Sequence, residues 1–254
     1  MIFPRKKDTE ERTACLYGSL FKEISCDDFV NRSKSFIKRI KIDPGWFMGK
    51  RCLDAGCGPG FAAYGLSEIS RTRVYAFDIS EGCLSVARSR VSAGSNISFS
   101  RASNESIPFK DDSFDFLNCN GVVHHLLNTQ GAIHELFRVL KPGGKIFIGV
   151  YGAGGVLNEF KIRLYRFLAK FIPYDFMRKA LPKSVKTELL DNLYVPVRKA
   201  FSERVFKQLL EEGGFSNIER VAEGFYRRPA NLREKIIIGP DGMYMHFLAE
   251  KIIS

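Results

Sequence analysis

The segment Leu53-Asp54-Ala55-Gly56-Cys57-Gly58-Pro59-Gly60 is the stretch of this chain best suited to hold a ligand. Alternate glycines after a short apolar run let the backbone approach a bound group where a Cβ would intrude, or adopt positive φ. Structural turns use glycine in the same way, so the next acid matters. Asp78 closes the following apolar run, Val74 to Phe77, where a carboxylate can accept hydrogen bonds from both ribose hydroxyls. Together they predict a nucleoside cofactor. NAD would satisfy the same pair. The other use for Asp78 is capping the next helix, for which Ser80 is better placed.

Such residues need strand ends gathered along one edge. Apolar runs at Arg51 to Ala55, Val74 to Phe77, Ile97 to Ser100, Phe114 to Asn118 and Lys145 to Val150 alternate with helical stretches at Phe61 to Ile69, Glu81 to Val91 and Thr129 to Leu140. Lys141-Pro142-Gly143-Gly144 reads as a turn. Ser202 offers an N-cap to a helix at Glu203 to Glu212, which stops at Gly213-Gly214. Final strands at Asn217 to Ala222 and Met243 to Lys251 pair antiparallel. The order predicts an α/β fold, a doubly wound, mostly parallel seven-stranded sheet (Rossmann-like) with right-handed crossovers. Phe29, Phe36, Ile37 and Ile40 recur at helical spacing ahead of it. We expect one domain over residues 1–254: a helical lead-in at 1–50, a cofactor-binding core at 51–155, an inserted helical cap at 156–200, and a C-terminal helix and strands at 201–254.

With 254 residues and 45% apolar composition the chain can bury a sizeable core. Its longest mainly apolar stretches are too short and Gly-rich to span a bilayer, and Met1 to Glu11 is followed by no apolar secretory segment. Six cysteines without a Cys-x-x-Cys pair or Cys/His cluster suggest reduced thiols, a cytoplasmic protein and no metal site, with Cys57 filling space in the glycine loop. The net charge of +11 divides as +4 over 1–50, +1 over 51–155, +6 over 156–200 and 0 over 201–254. Within the cap, Leu157, Phe160, Leu164, Leu168 and Phe171 form a helical stripe with Lys161, Arg163, Arg166 and Lys170 between them. Such a stripe docks on the protein body, covers an apolar or anionic acceptor as a lid, or rests on anionic lipid through segment 156–172. Tyr194, Arg198 and Phe201 could line a pocket at its end.

Four stretches separate the candidate cofactors: Leu53 to Gly60, Val74 to Asp78, Glu105-Ser106-Ile107-Pro108-Phe109 through Ser113-Phe114-Asp115, and Gly121-Val122-Val123-His124-His125-Leu126 followed by Leu140-Lys141-Pro142-Gly143-Gly144. In this order and spacing the chain resembles the class I methyltransferases that use S-adenosylmethionine, especially the large family containing ubiquinone-biosynthesis-like enzymes. The resemblance implies that Gly56, Gly58 and Gly60 line the methionine and ribose side, with Asp54 near the amino group, directly or through water. It gives Asp78 the ribose, the side chain of Ser103 and backbone of Asn104 the adenine edge, and the backbone of Asn120 the methionine portion. Family members often carry an acid where this chain has Ser103.

Methyl transfer from a sulfonium is an in-line displacement in which orientation alone accounts for several kcal/mol, within a ceiling of roughly 7–11. A base is needed only where the acceptor must lose a proton, and His124 or His125 could serve, or could pack and cap locally. No Asn/Asp-Pro-Pro-Tyr/Phe segment follows the fourth strand, and no Pro-Cys or Thr-Cys dipeptide occurs. Methylation of exocyclic base amines and of cytosine C5 is therefore disfavoured. The leading expectation is methyl transfer to O, N or C of a small lipophilic or anionic acceptor. The alternatives are an RNA-modifying enzyme that holds phosphates with its basic segments, and a cofactor-binding protein without turnover.

Overall fold

Cys52–Ala55 (β1) is apolar because both faces are covered, and Cys52, Leu53 and Ala55 are fully buried. It pairs in parallel with Val74–Asp78 (β2) and Phe114–Asn120 (β4). Beyond them run Ile97–Arg101 (β3), parallel to β2, and Leu140–Tyr151 (β5), parallel to β4. Tyr244–Glu250 (β7) is antiparallel to β5 and to Ser216–Val221 (β6), giving a seven-stranded sheet in the order β3-β2-β1-β4-β5-β7-β6. The computed structural model describes residues 6–71, 73–91, 95–154, 156–221 and 242–252, with backbone alone at 156, 157, 183–186 and 188. Residues 1–5 and Ala222 of the sequence expectations lie outside these residues.

One face of the sheet packs against Thr129–Val139 (α5) and Glu203–Glu212 (α9) through Ile133, Leu136, Phe206 and Leu210. Ser202 caps α9, accepting the Val205 N–H at 3.3 Å. The other face packs against Phe61–Ser70 (α3), Glu81–Arg90 (α4) and Cys26–Arg39 (α2), with Phe36, Leu66 and Leu84 in its core. The expected turn at Lys141 to Gly144 instead belongs to β5, because Leu140 pairs with Phe114 before the register shifts. Its backbone is then bonded to the end of β7, with Gly143 N–H on Lys251 O and Lys251 N–H on Gly144 O.

Lys6–Leu20 (α1) has no apolar stripe and buries only Thr9 and Leu16. It is clamped across the start of α4 instead. The Ser80 hydroxyl, which also caps α4, donates to Ala14 O at 2.6 Å, and a Cβ at Gly82 would stand 2.8 Å from the Gly18 Cα. Only glycines allow so close a crossing.

Between β5 and β6 lie Val156–Ala169 (α6), Tyr174–Ala180 (α7) and Lys183–Tyr194 (α8). The α6 stripe does not dock on the body: Phe160 is 66% exposed, Phe171 73%, and Leu164 and Leu168 are exposed as well. The Leu157 side chain lies outside the described residues. The opposite face is held, because the Arg166 guanidinium donates to the carbonyls of Asn192 at 2.7 Å and Val195 at 2.8 Å while Ala169 is buried. Two charge-assisted bonds to carbonyls at the end of α8 hold this face inward. Among the described residues no helix is long and apolar enough to cross a membrane.

Candidate functional site

The strand ends open into a cavity of about 500 Å3 lined from α1, the glycine loop, the loops after β2, β3 and β4, and the cap. Gly56, Cys57, Gly58 and Pro59 form one wall. Gly58 has φ +52°, and a Cβ built on it meets nothing within 4 Å. The space beside it belongs to the cavity.

Asp78 holds the loop and faces the same space. Its Oδ2 accepts the Gly58 N–H and its Oδ1 the Ser80 N–H, both at 2.8 Å. Each carboxylate oxygen retains acceptor capacity for a ligand hydroxyl. Burial pushes the Asp78 carboxyl above its ordinary range, opposed by the N–H groups of Ser80, Gly58 and Ile79. Ser103, Asn104 and Asn120 also line the cavity. The Ser103 hydroxyl donates to Glu10 Oε1 at 3.3 Å, so α1 brings a carboxylate beside the position where an acid is missing. The Asn120 side chain accepts the Tyr244 O–H at 2.9 Å, and both residues line the cavity.

Asp54 and Gly60 stand behind the cavity wall. Asp54 is 1% exposed, and its two oxygens accept the Ala63 N–H at 2.9 Å and the Asn118 amide at 2.6 Å. It pins the start of α3 to the strands, and burial pushes its carboxyl up to about 7. Gly60 sits where α3 meets α4; a Cβ there would approach the Ala87 Cβ to 3.0 Å. The Cys57 thiol is pushed well above its ordinary range by burial, as a space-filling side chain would be.

The far end of the cavity holds a buried polar cluster. The His125 Nδ1 faces Val197 O at 2.8 Å, and its Nε2 lies 2.8 Å from the Tyr17 hydroxyl. That hydroxyl is also 2.7 Å from Asp191 Oδ1, while Tyr151 O–H donates to Asp191 Oδ2. Counting protons is informative here. A carbonyl only accepts, so Nδ1 carries hydrogen and a neutral ring presents a bare Nε2. Tyr17 then has one hydrogen for two acceptors, the imidazole and the carboxylate. One added proton on Nε2 completes every bond, since the imidazolium donates to Tyr17 and Tyr17 to Asp191. Burial lowers the pKa of His125, against the raising effect of Asp191 and Val197, so the ring rests neutral.

His124, also expected as a candidate, is buried with its ring 4.3 Å from Tyr151 and 4.0 Å from His125, and burial drives its pKa well down. Of the cap residues, Arg198 lines the cavity over the Tyr151 ring and pairs with Glu159. Tyr194 instead donates to Ile172 O at 2.9 Å, and Phe201 packs on Phe206; neither lines the cavity. Tyr17, Tyr151 and Asp191 carry no local motif. Among the described residues no group of three or more His, Cys, Asp or Glu side chains could hold a metal ion.

Residues 53–148 match the family described as a methyltransferase domain. The chain is 38% identical over 100 residues to a demethylmenaquinone methyltransferase of Clavibacter sepedonicus, a match spanning 39% of this chain and 40% of that protein. It is 28% identical over 235 residues to the ubiquinone/menaquinone biosynthesis C-methyltransferase UbiE of Psychromonas ingrahamii, covering 85% of this chain and 89% of the relative. The fold is shared with the Haemonchus contortus phosphoethanolamine N-methyltransferase 2, solved with phosphomonomethylethanolamine and S-adenosylhomocysteine. That likeness has a TM-score of 0.63 and 20% identity, covering 99% of this chain and 61% of the other.

Proposed function

We propose, for a chain that is an S-adenosylmethionine-dependent methyltransferase, that its acceptor is a small molecule whose reacting O, N or C is freed by loss of a proton to His125. The observation that carries this is the Tyr17–His125–Asp191 triangle, which lines the same cavity as Gly58 and Asp78. Bound S-adenosylmethionine supplies an electrophilic methyl group and a sulfur that leaves as a neutral thioether. The acceptor atom bonds to the methyl carbon as the carbon–sulfur bond breaks, its electron pair staying on sulfur. The proton lost by the acceptor passes to the Tyr17 hydroxyl as that hydroxyl hands its own hydrogen to His125 Nε2, 2.8 Å away, and the Asp191 carboxylate lies 3.8 Å from the imidazolium so formed.

The cavity suits a lipophilic acceptor with a polar head. Phe21, Leu126, Leu127 and Met243 supply apolar wall, while Arg198, Tyr151 and Asp191 mark the polar end. A hydroxylated ring fits these requirements, because ionising the hydroxyl activates both its oxygen and its adjacent carbon, and the UbiE relatives are named C-methyltransferases. The test is incubation with S-adenosylmethionine and a panel of phenols, quinols, amines and short RNA, reading S-adenosylhomocysteine release and a mass gain of one methyl group. Turnover confined to RNA would overturn the small-molecule reading. Contact with lipid through segment 156–172 fits a lipophilic acceptor.

In the same reading Asp78 holds the ribose, Gly56 and Gly58 the methionine and ribose side, Asn120 the methionine portion, and Ser103 and Asn104 the adenine edge. Asp78→Ala is expected to weaken S-adenosylmethionine by about 10- to 150-fold, the roughly 1.5–3 kcal/mol of charge-assisted hydrogen bonds. Calorimetry checks it, with NAD as the ligand that should give no heat.

A further inference from the structure

The outward stripe of α6 has the chemistry of a lipid-facing surface. Phe160, Leu164, Phe167, Leu168 and Phe171 follow one another at helical spacing, all exposed, over about 16 Å of helix and its final turn. Monomeric soluble proteins rarely leave so many large apolar side chains contiguous in water. The flanks are basic. Lys161, Arg163 and Lys170 are exposed beside the stripe, and no acid occurs between Phe160 and Phe171. Arg166 is excluded from this set because it is committed to the carbonyls of Asn192 and Val195.

We propose that α6 lies in the surface of an anionic bilayer, with its phenylalanines at the boundary of headgroups and acyl chains and the exposed Lys161, Arg163 and Lys170 against lipid phosphates. An aromatic and aliphatic face bordered by lysine and arginine, without acids, is the pattern that binds such surfaces. A protein interface is less well matched, since lysine is depleted from interface cores. The inner side of the same helix bears Asn158 on the cavity wall and Glu159 on Arg198, so the bilayer would lie one helix diameter from the acceptor site. Delivery of a lipophilic acceptor from the membrane rests on the small-molecule reading above; attachment itself does not.

The experiment is sedimentation of the full chain with vesicles of phosphatidylcholine alone or with phosphatidylglycerol, without acceptor. The chain is expected to sediment with the anionic vesicles, less with the neutral ones, and less as salt rises. Phe167→Ser with Phe171→Ser should lower partitioning at least tenfold while circular dichroism and thermal unfolding stay as in the parent, since both rings are exposed. A Lys161→Gln, Arg163→Gln, Lys170→Gln variant should lose the preference for anionic lipid. Failure to sediment with anionic vesicles, or equal sedimentation of the Ser variant, would overturn the proposal. So would a dimer that the Ser substitutions dissociate in light scattering without any vesicle binding, which would assign the face to a second copy. None of these outcomes touches methyl transfer measured with a soluble acceptor.

Discussion

Gly58→Val is expected to give a folded protein that no longer holds S-adenosylmethionine, with affinity reduced more than about 100-fold. Two effects act together. A residue at φ +52° must adopt the left-handed region, which costs an ordinary L-residue about 1–2 kcal/mol and a branched one more. The two methyl groups then point into space that contains no protein atom within 4 Å of the Cβ, so the fold has room for them and the cofactor does not. The midpoint of thermal unfolding should fall by a few degrees only. Gly58→Ala separates the effects, because it carries most of the backbone strain with little of the bulk, and should retain measurable binding. Calorimetry showing parental affinity in the valine variant would reduce the loop to a structural turn.

His125→Ala should lower kcat by about 10²–10⁴, the usual worth of a positioned base, while the dissociation constant for S-adenosylmethionine changes little. The pH profile distinguishes this from a loss of packing. Neutral His125 is the active form, and burial moves its titration below 6.5, so the parental rate should hold through mildly acidic pH and fall only below that value. Without the imidazole that acid limb disappears, and the residual rate climbs as the acceptor ionises in solution. Tyr17→Phe should fall between the two, since the base remains but its imidazolium loses the bridge to Asp191. An unchanged kcat and profile in the alanine variant would remove His125 from the chemistry and leave the triangle a structural device.

That Gly58 and Asp78 stand together on one cavity was legible because the constraint between them is local. Gly58 and Asp78 are separated by one strand-helix-strand unit, and the hydrogen bond between them follows from that geometry. Asp54 shows the limit of the same reasoning: its place beside the glycines suggests a ligand contact, yet both its oxygens serve Ala63 and Asn118. The acceptor half was mostly illegible. Tyr17 lies on a helix with no apolar period, because α1 is held by the Gly18–Gly82 crossing and the Ser80–Ala14 bond rather than by a greasy face. Asp191 is one acid among the lysines of the cap. The α6 stripe was visible as a pattern, but which way it turned depended on Arg166 finding two carbonyls 26 and 29 residues onward.

The triangle's corners stand far apart along the chain: Tyr17 is 108 residues from His125 and 174 from Asp191. Contacts at such separation carry the entropic cost of closing long loops. A partly folded chain can thus own a complete glycine loop and Asp78 before Tyr17, His125 and Asp191 have met. In refolding followed by circular dichroism and turnover together, activity should trail the recovery of the sheet. If the triangle is the base proposed above, competence to methylate waits on contacts that span most of the polypeptide.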